Sequence, residues 1–598
     1  MSRDDVAANW LGVTEDPRTV LQRVFGFPDF RGVQRQVVDR ALRGDNTLAV
    51  MPTGAGKSLC YQLPAATLDG TCVVVSPLIA LMHDQLRAAE AVGLRAATLT
   101  SADDNRAETL ERFKDGALDL LYVAPERASG GAFRDLLSRA PLALFAIDEA
   151  HCVSEWGHDF RPDYRLLRPL LDAFPDVPRL ALTATADEHT RADILAQLGI
   201  PEEGMIVAGF DRPNIRYHIT PRDGTTRQIA DLVRDTPGPG IVYVGSRAGT
   251  EKLAESLAAT GRPVRAYHAG LDPEVRRRNQ AAFVASEDMV MVATIAFGMG
   301  IDKPDVRFVA HAGLPKSIEA YYQETGRAGR DGDPAVAHLF WGAEDFARAR
   351  QRIGEVEPAR QPGERQRLQS LGALVETAGC RRRILLSHFG EDPPAACGNC
   401  DNCLSPPAAV DATDVALKYL SAVYRTGQLF GATYIEQVLT GKSNERTLMS
   451  GHENLAVWGI VAGEEAALIK PVGRALLLRD ALRATEHNGL AFGPAARAIL
   501  KEGERVELVL PPRRTKKRRD AAEANPTGDP LFEALRACRR DLAKEGGVPP
   551  YVIFHDSVLR EMAAARPASL AAMGRITGVG QRKLDAYGDA FLKVIRDN

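Results

Sequence analysis

The stretch Thr47–Ser58, TLAVMPTGAGKS, predicts a buried strand that runs into a phosphate-binding loop. Gly54 and Gly56 allow the backbone to bend so that successive N–H groups point into one concavity, and the following helix adds the positive end of its dipole. The phosphate oxygens of a nucleotide fit such a concavity. Lys57 is then placed to reach the terminal phosphates, and the Ser58 hydroxyl to bind Mg²⁺.

The match to the phosphate-loop pattern G-x-x-x-x-G-K-[ST] is incomplete, because Met51 stands where the first glycine would be. An ordinary strand–turn–helix junction is therefore the alternative interpretation. The second half of the pattern is intact, and it carries the chemistry. The residues we expect to hold a nucleotide are Thr53, Gly54, Gly56, Lys57 and Ser58.

Length and composition indicate an ordinary multidomain protein. The chain has 598 residues, too many for one core, of which 45% are apolar and 26% charged. No apolar run approaches the ~20 residues that cross a membrane, and the first residues lack the apolar core of a signal peptide. We therefore expect a cytoplasmic protein without a membrane partner. The net charge of −3 gives no support for nucleic-acid binding, which must use local basic surfaces.

A pair of acids follows the fourth predicted strand. Continuous apolar runs at 71–75, 118–123 and 142–147 predict buried parallel strands, and the last run ends in Asp148 and Glu149. At the carboxyl edge of a parallel sheet, the first acid can hold Mg²⁺ through its water shell, and the second can position or activate the attacking water. A solvated strand cap is the alternative for an isolated acid pair. The upstream phosphate loop favours the catalytic interpretation.

Two further segments are candidates for contact with the nucleotide cleft. Gln34 follows Phe30 and Arg31 in a segment of helical periodicity, and its amide carries the donor and acceptor that match the N6 and N7 edge of adenine. We expect Gln34 and Arg31 to bind the nucleotide, with a solvated helix glutamine as the alternative. The hydroxyl residues of Thr183–Thr185 follow a short apolar run and are suited to couple the cleft to another surface.

An aromatic segment follows the acids. Trp156 and Phe160 can stack on unpaired bases, and His158 and Arg161 can bond phosphate or stack as well. The alternative is that the two aromatic rings anchor the loop in a core. The segment has no helical period and is rich in Gly, Pro, Asp and Arg, which favours the first interpretation.

These motifs resemble a known family. The order of phosphate loop, Asp-Glu-Ala-His and Thr-Ala-Thr is similar to that of superfamily 2 helicases, and residues 154–165, SEWGHDFRPDYR, resemble the aromatic-rich loop of the RecQ family of DNA helicases. Glu155 stands where that family often has Gln, and an acid near phosphate would weaken DNA contact slightly.

The second part of the chain, residues 206–345, repeats the strand–helix alternation without a phosphate loop and resembles a second RecA-like fold. Residues 296–303, AFGMGIDK, resemble motif V of the family. Residues 321–332, YYQETGRAGRDG, resemble motif VI nearly residue for residue.

Motif VI carries two arginines that would share one face of a helix. A guanidinium can grip phosphate oxygens bidentately. By resemblance, Arg330 is the arginine finger on the γ-phosphate, with Arg327 and Gln323 in support. A solvated helix face is the alternative, but the segment is too rich in glycine for one.

Four of the eight cysteines follow the spacing C-x16-C-x2-C-x2-C: Cys380, Cys397, Cys400 and Cys403. This spacing suits tetrahedral Zn²⁺ with four thiolates and no water, which predicts a structural metal. Replacement of one thiolate by His388 and a redox-active thiol pair are the alternatives. With the basic run Arg381–Arg383, the cluster resembles the RecQ zinc subdomain.

The region 407–510 resembles a winged helix. Three apolar helical faces are expected, carried by Leu417, Leu420 and Tyr424, by residues 434–439 and by residues 455–459, with short strands near 467–469 and 507–510. By resemblance this module contacts duplex DNA; a protein-interaction module is the alternative.

A basic run opens the polar segment 511–528, for which we expect a tether attracted to phosphate, or one that only aids solubility. Residues 529–598 resemble the HRDC domain, a small helical bundle that could bind single strands weakly. Tyr551 is its stacking candidate, with a buried tyrosine as the alternative.

The expected fold is α/β: two RecA-like parallel-sheet domains, then a helical zinc subdomain, a winged helix and an all-α bundle. The expected division is 1–205, 206–345, 346–406, 407–510, 511–528 and 529–598. The resemblance implies an ATP-dependent DNA helicase, with Mg²⁺ and Zn²⁺, that moves 3′ to 5′ on single-stranded DNA and unwinds duplex or branched DNA in recombination and repair. It makes single-strand-binding and recombination proteins candidate partners, in the bacterial cytoplasm and nucleoid. An RNA-directed superfamily 2 helicase and an ATP-gated nucleic-acid clamp are the alternatives.

Overall fold

The structure, a computed structural model, describes residues 15–598 except 78, 101–102, 104, 155–159, 299–302, 359, 486–488 and 511–528. Two of the predicted DNA contacts, Trp156 and His158, and the whole basic segment 511–528 lie outside the described residues.

The first lobe is built on a seven-stranded parallel sheet in the order β3-β4-β2-β5-β6-β1-β7. Its strands are β1 (Thr47–Val50), β2 (Thr71–Val75), β3 (Ala96–Leu99), β4 (Leu120–Val123), β5 (Leu142–Ile147), β6 (Arg179–Thr183) and β7 (Met205–Val207). Its helices are Pro17–Val20, the π-helix Leu21–Phe25, Gln34–Arg43, Leu59–Ala65, Ile79–Ala91, Arg106–Lys114, Pro125–Ala128, Gly131–Leu137, Pro162–Arg165, Leu167–Asp172 and Glu188–Leu198, with 3₁₀ turns at Ala150–Val153 and Glu202–Gly204.

The strand β2 shows why the apolar runs form this sheet. All of its residues are buried; Val73 and Val75 pack into the core on one face, and Cys72 and Val74 into the core on the other. A strand covered by helices on both faces needs a continuous apolar run instead of an alternating one. The register places the end of β1 beside the end of β6, with Val50 opposite Thr183.

The second lobe contains a six-stranded parallel sheet in the order β10-β11-β9-β12-β13-β8. Its strands are β8 (Ile215–Pro221), β9 (Gly240–Tyr243), β10 (Val264–Tyr267), β11 (Val290–Ala293), β12 (Phe308–His311) and β13 (Ala335–Trp341), and its helices are Thr225–Asp235, Arg247–Ala258, Pro273–Ala285 and Ile318–Thr325. The prediction of two parallel-sheet lobes is confirmed.

Three smaller parts follow. The cysteine-bearing part contains the helices Ala343–Glu355, Gln361–Glu376, Arg381–His388 and Asp401–Leu404. The next contains the helices Thr413–Arg425, Ala432–Thr440, Glu445–Met449, Ile469–Leu478 and Ala496–Lys501, 3₁₀ turns at His452–Asn454 and Gly463–Leu468, and the antiparallel pairs β14 (Ala408–Asp411) with β17 (Glu507–Leu510) and β15 (Leu482–Ala484) with β16 (Leu490–Phe492). The last is an all-α bundle of Pro530–Gly546, Pro550–Ile553, Asp556–Ala565, Leu570–Met573 and Gln581–Asp597.

Three local expectations for the region 407–510 are wrong. Residues 467–469 end a 3₁₀ turn and begin a helix, because the apolar residues continue at the helical spacing of Ile469, Val472 and Leu476. Residues 455–459 form turns that end in Gly459, whose φ is +68°. Tyr424 is 66% exposed and does not share the buried face of Leu420.

Candidate active site and nucleic-acid contacts

The phosphate loop lies between β1 and the helix Leu59–Ala65, and two of its glycines face residues from other motifs. Gly54 and Gly56 have φ values of +85° and +74°, in the left-handed region that favours glycine. A Cβ on Gly54 would stand 3.2 Å from Cγ of Arg330, and a Cβ on Gly56 would stand 2.5 Å from Nε2 of Gln34. The loop therefore needs glycine both for its bend and for the close approach of its neighbours.

Lys57 is half-buried in this loop, and its Nζ donates to the carbonyl of Met51 at 3.3 Å. Burial lowers the pKa of Lys57, while the charges of Glu149 and Asp148 act in the opposite direction. Lys57 and the two acids therefore form one electrostatic group, as the sequence predicts from the phosphate loop and the strand that ends in acids.

The acid pair ends β5 in a constrained backbone. Burial, and then the charge of Glu149, raise the pKa of Asp148 to about 7, against the charge of Lys57. Glu149 itself has φ +47° and ψ +47°, which is uncommon for a residue with a Cβ and occurs at functional sites. The Tyr164 hydroxyl donates to the Asp148 carbonyl at 2.9 Å and holds this turn in place. The sequence reasoning missed this role of Tyr164, since no local pattern joins it to Asp148.

The hydroxyl residues after β6 contact the acid turn. Nδ1 of His151 lies 3.0 Å from Oγ1 of Thr183 and 3.4 Å from Oε2 of Glu149. Oγ1 of Thr183 also accepts from the N–H of Thr185 at 3.3 Å. The predicted coupling from Thr183–Thr185 to the cleft therefore has a physical path through His151.

Gln34 lies against the phosphate loop. Its Oε1 accepts from the backbone N–H of Arg31, and its Nε2 donates to the carbonyl of Ala55, each at 2.8 Å. Gln34 is buried. The side chain of Arg31 is exposed, and Arg31 contacts Gln34 through its backbone N–H. Nε2 also donates to the carbonyl of Gly56 at 3.5 Å, so an adenine edge would have to compete with contacts to the phosphate loop.

The arginines of the predicted motif VI take different positions. Arg330 lies over Gly54 of the first lobe, and its charge lowers the pKa of Lys57. Arg327 is buried, and its guanidinium lies 2.9 Å from where a Cβ would stand on Gly298, in the second lobe. Gln323 is on the preceding helix, Ile318–Thr325, and is half-buried.

The residues of this cleft fit ATP with Mg²⁺. The positive-φ glycines and the Lys57 ammonium suit phosphate oxygens, and Asp148 and Ser58 are oxygen ligands of the kind Mg²⁺ prefers. Among the described residues, Oγ1 of Thr53 is buried without a hydrogen-bond partner, at a loop where phosphate oxygens would supply acceptors.

The four predicted cysteines converge. The sulfur atoms of Cys380, Cys397, Cys400 and Cys403 all lie within 4.8 Å of one another. The Cys397–Cys403 and Cys380–Cys400 distances are 3.9 and 4.0 Å. Tetrahedral Zn²⁺ with sulfur ligands at ~2.3 Å requires sulfur separations of about 3.8 Å, so the donor set fits structural zinc.

His388 does not belong to this cluster. Its Nε2 lies 2.5 Å from Oε1 of Glu319, at the start of the motif VI helix. The alternative in which His388 replaces a thiolate is therefore wrong. Two arginines of the basic run beside the cluster are also internal: Arg381 bonds Asp401 and Leu374, and Arg382 bonds the segment that joins the lobes, whereas Arg383 is exposed.

The predicted nucleic-acid loop is described only from Phe160 onward. NH1 of Arg161 donates to the carbonyl of Pro77 at 2.8 Å, so this guanidinium is turned toward the first-lobe backbone. The ring of Phe160 lies 5.4 Å from the guanidinium carbon of Arg165. The Arg161 bond joins the loop to the residues that follow β2, and the Phe160 contact is local.

Tyr551 packs against the second lobe. Nζ of Lys303, a buried residue, lies 5.7 Å from the Tyr551 ring centroid. Ion pairs from Glu287 to Arg536 and Arg539 hold the same bundle on this lobe. The stacking of Tyr551 on DNA stays a prediction, and a base would have to compete with this contact.

The winged-helix region also contacts its neighbours through arginine. NH1 of Arg350 donates to the carbonyl of Leu477 at 2.6 Å, which joins the helix Ala343–Glu355 to the helix Ile469–Leu478.

None of the described helices combines the length and the apolar character that crossing a membrane requires.

Five family models match the chain in order. They are DEAD/DEAH box helicase at 31–194, helicase conserved C-terminal domain at 225–332, RecQ zinc-binding at 343–404, RQC domain at 406–517 and HRDC domain at 529–595.

Two curated bacterial relatives match over nearly their full length. "ATP-dependent DNA helicase RecQ" of Haemophilus influenzae is 41% identical over 606 residues, which cover 97% of this chain and 96% of the relative. The protein of the same name in Bacillus subtilis is 38% identical, with 97% and 98% coverage. The matched family models cover both parallel-sheet lobes and the four-cysteine cluster. The chain therefore belongs to the RecQ family of ATP-dependent DNA helicases.

Proposed function

We propose that this helicase moves 3′ to 5′ along single-stranded DNA and separates duplex or branched DNA in recombination and repair. The observation that carries the ATP-driven movement is the position of Arg330, whose side chain reaches from the second lobe to Gly54 in the phosphate loop of the first, whereas the 3′ to 5′ direction rests on the family resemblance. A nucleotide site shared by two lobes makes hydrolysis depend on their closure. Closure and reopening of such a cleft can step a bound strand along the surface.

We propose the following roles in the cleft. Lys57 and the backbone of Thr53, Gly54 and Gly56 hold phosphate oxygens, Ser58 and Asp148 hold Mg²⁺, and Glu149 orients and deprotonates the attacking water. Gln34 and Arg31 hold the adenine end, and Arg330 stabilises the charge that develops on the transferred group. Bound ATP supplies the free energy of each step.

Arg327 and Gln323 have supporting roles in this proposal. Arg327, packed against Gly298, holds motif VI on the second lobe so that Arg330 keeps its direction. The structural zinc is held by Cys380, Cys397, Cys400 and Cys403, as the donor set indicates.

The DNA-binding surface is also proposed. Trp156, His158, Phe160 and Arg161 belong to the loop that follows the acid turn, where a bound strand can influence Glu149 through a short stretch of backbone. Tyr551 would supply a further stacking contact. The partners we propose are single-stranded and branched DNA, with single-strand-binding and recombination proteins, in the bacterial cytoplasm and nucleoid.

The division of the chain proposed from the sequence is 1–205, 206–345, 346–406, 407–510, 511–528 and 529–598. Because β7 (Met205–Val207) pairs in the first sheet and β8 (Ile215–Pro221) in the second, we propose that the first lobe extends through Val207 and that the joining segment follows it.

Strand displacement with four matched substrates tests the proposal. Duplexes of one sequence, in DNA or RNA and with a 3′ or a 5′ overhang, are incubated with the full chain and ATP. We expect displacement from the 3′-tailed DNA and little from the other three. Preference for RNA would select an RNA-directed helicase, and binding without displacement from any duplex would select an ATP-gated clamp.

A further inference from the structure

The segment that joins the two lobes carries an arginine that neither the motifs nor the proposed roles include. Arg212 lies between β7, the last strand of the first sheet, and β8, which belongs to the second sheet. Its position in the chain gives it access to both sides of the nucleotide cleft.

The guanidinium of Arg212 bonds backbone carbonyls of both lobes. On the first lobe, NH1 donates to the carbonyl of Thr53 in the phosphate loop at 2.9 Å. On the second lobe, its donors reach the carbonyls of Gly326 at 3.2 Å, Ala328 at 3.0 Å and Gly329 at 2.9 Å. These last three residues form the turn that leads directly into Arg330. A planar guanidinium with five donors can serve several acceptors in fixed directions, which an ammonium cannot do.

The phosphate loop and the turn before Arg330, which Arg212 joins, are also in direct contact with each other. A Cβ on Gly326 would stand 3.3 Å from Cβ of Thr53. Asn214, two residues after Arg212, donates to the carbonyls of Gly329 and Asp333, both at 2.8 Å. The segment that joins the two lobes therefore holds the turn before Arg330 through several hydrogen bonds.

The joining segment is itself fixed from its other side by the zinc subdomain. Arg382 donates to Asp211 at 2.8 Å and to the carbonyl of Ile215 at 2.6 Å. Asn399, inside the cysteine cluster, donates to the carbonyl of Pro213 at 2.9 Å. The backbone of Arg212 is thus held between neighbours that the zinc subdomain fixes. A side chain can set the distance between two loops only if its own backbone is fixed.

We propose that Arg212 is a positioning residue for ATP hydrolysis, which sets the spacing between the phosphate loop and the arginine finger without touching the nucleotide. When the lobes open, its bond to Thr53 breaks while its bonds to the turn before Arg330 persist, so it re-forms the closed spacing in each cycle. This inference rests on the proposed role of Arg330 as the finger.

The test is a double-mutant cycle in the full chain, with Arg212→Lys, Arg330→Ala and the double variant. The readouts are kcat and KM of DNA-stimulated ATP hydrolysis, affinity for a fluorescent ADP analogue, zinc content and the thermal unfolding midpoint. We expect Arg212→Lys to lower kcat about 10- to 100-fold, since misplacement by ~1 Å can cost that much, with ADP affinity and zinc content nearly unchanged. In the Arg330→Ala background, the same change should lower kcat less than ~3-fold, because residues that act as a unit are not additive.

Arg262→Lys is the matched control. Its guanidinium also donates to backbone carbonyls of the second lobe, those of Val233, Thr236 and Gly238, which lie outside the nucleotide motifs. We expect it to lower the unfolding midpoint and leave kcat within ~2-fold.

The outcomes separate the two claims. The role of Arg212 alone would be overturned by either of two results. Arg212→Lys could lower kcat by the same factor in the wild type and in Arg330→Ala, or it could leave kcat of the wild type unchanged. An unchanged kcat in Arg330→Ala would remove the finger assignment and the Arg212 proposal with it. If Arg212→Lys unfolds, Arg212→Gln takes its place in the cycle with the same expected outcomes, and Asn214→Ala shows whether loss of another bond to the carbonyl of Gly329 also lowers kcat.

Discussion

Arg330 of the second lobe lies over Gly54 of the first, with its Cγ 3.2 Å from the place where a Cβ on Gly54 would stand. Two residues 276 positions apart in the sequence therefore form one surface of the nucleotide cleft. The phosphate loop carries the pattern that first indicates a nucleotide, but it is only half of the site.

Gly54→Ala should impair hydrolysis through this contact. The new Cβ would displace Arg330 and would also strain a backbone with φ +85°. We expect kcat of ATP hydrolysis to fall at least ~10-fold, measured under saturating ATP and DNA. Gly261→Ala is the control, since Gly261 has φ +81° and nothing within 4 Å of its Cβ position. Similar kcat losses in the two variants would show that general destabilisation, and not the contact with Arg330, is responsible.

Cys400→Ser should release the metal. Cys400 is buried in the four-cysteine cluster, and a structural zinc site contributes directly to folding. We expect one zinc per chain in the wild type and a large loss in the variant, by elemental analysis of purified protein, with a lower unfolding midpoint. Cys538→Ser, outside the cluster, should keep the zinc. Full zinc content in Cys400→Ser would contradict the four-thiolate assignment.

The His388–Glu319 pair predicts a pH dependence of stability. Burial lowers the pKa of His388, but the hydrogen bond and charge of Glu319 outweigh it and raise the pKa above its ordinary 6.5. Burial also raises the pKa of Glu319, but the hydrogen bond and the charge of His388 outweigh it, and the pKa of Glu319 falls to about 2. The pair stabilises the fold fully between about pH 4.5 and 6.5, and this contribution is lost as pH rises through the raised pKa of His388.

His388→Gln measures that contribution. The difference in unfolding midpoint between wild type and variant should be larger at pH 6 than at pH 9, by differential scanning calorimetry. The exposed His189 gives the control His189→Gln, whose midpoint difference should not follow this trend. A constant difference for His388→Gln across this range would contradict the ion pair, and loss of zinc would return His388 to the metal site.

Trp156→Ala tests the proposed DNA loop. Loss of a stacking platform should remove most of the stimulation of ATP hydrolysis by single-stranded DNA while basal hydrolysis persists, because the catalytic acids are untouched. The measurement is kcat with and without DNA. Unchanged stimulation would make Trp156 a residue of the loop's own packing.

The sequence was sufficient for the motifs and the sheets, and insufficient for contacts between distant segments. Continuous apolar runs identify strands such as β2 because helices cover both of their faces, and the cysteine spacing alone predicts the metal cluster. The pairing of His388 with Glu319 and the burial of Arg382 depend on how separate domains pack, which no local periodicity records. For the same reason, Arg212 is indistinguishable in sequence from a surface arginine.

The short apolar run at 467–469 shows a different limit of prediction from sequence. Three apolar residues fit a strand or a helix equally well, and only the continuation through Val472 and Leu476 settles the helix.

We expect ATP hydrolysis at the phosphate loop to drive strand separation. The most direct test compares wild type and Lys57→Ala on a 3′-tailed DNA duplex, at equal DNA occupancy and saturating ATP, with strand displacement and phosphate release followed together. We predict that the wild type displaces the strand as it releases phosphate, and that Lys57→Ala binds the DNA equally well but does neither. Strand displacement or full phosphate release by Lys57→Ala would contradict the account.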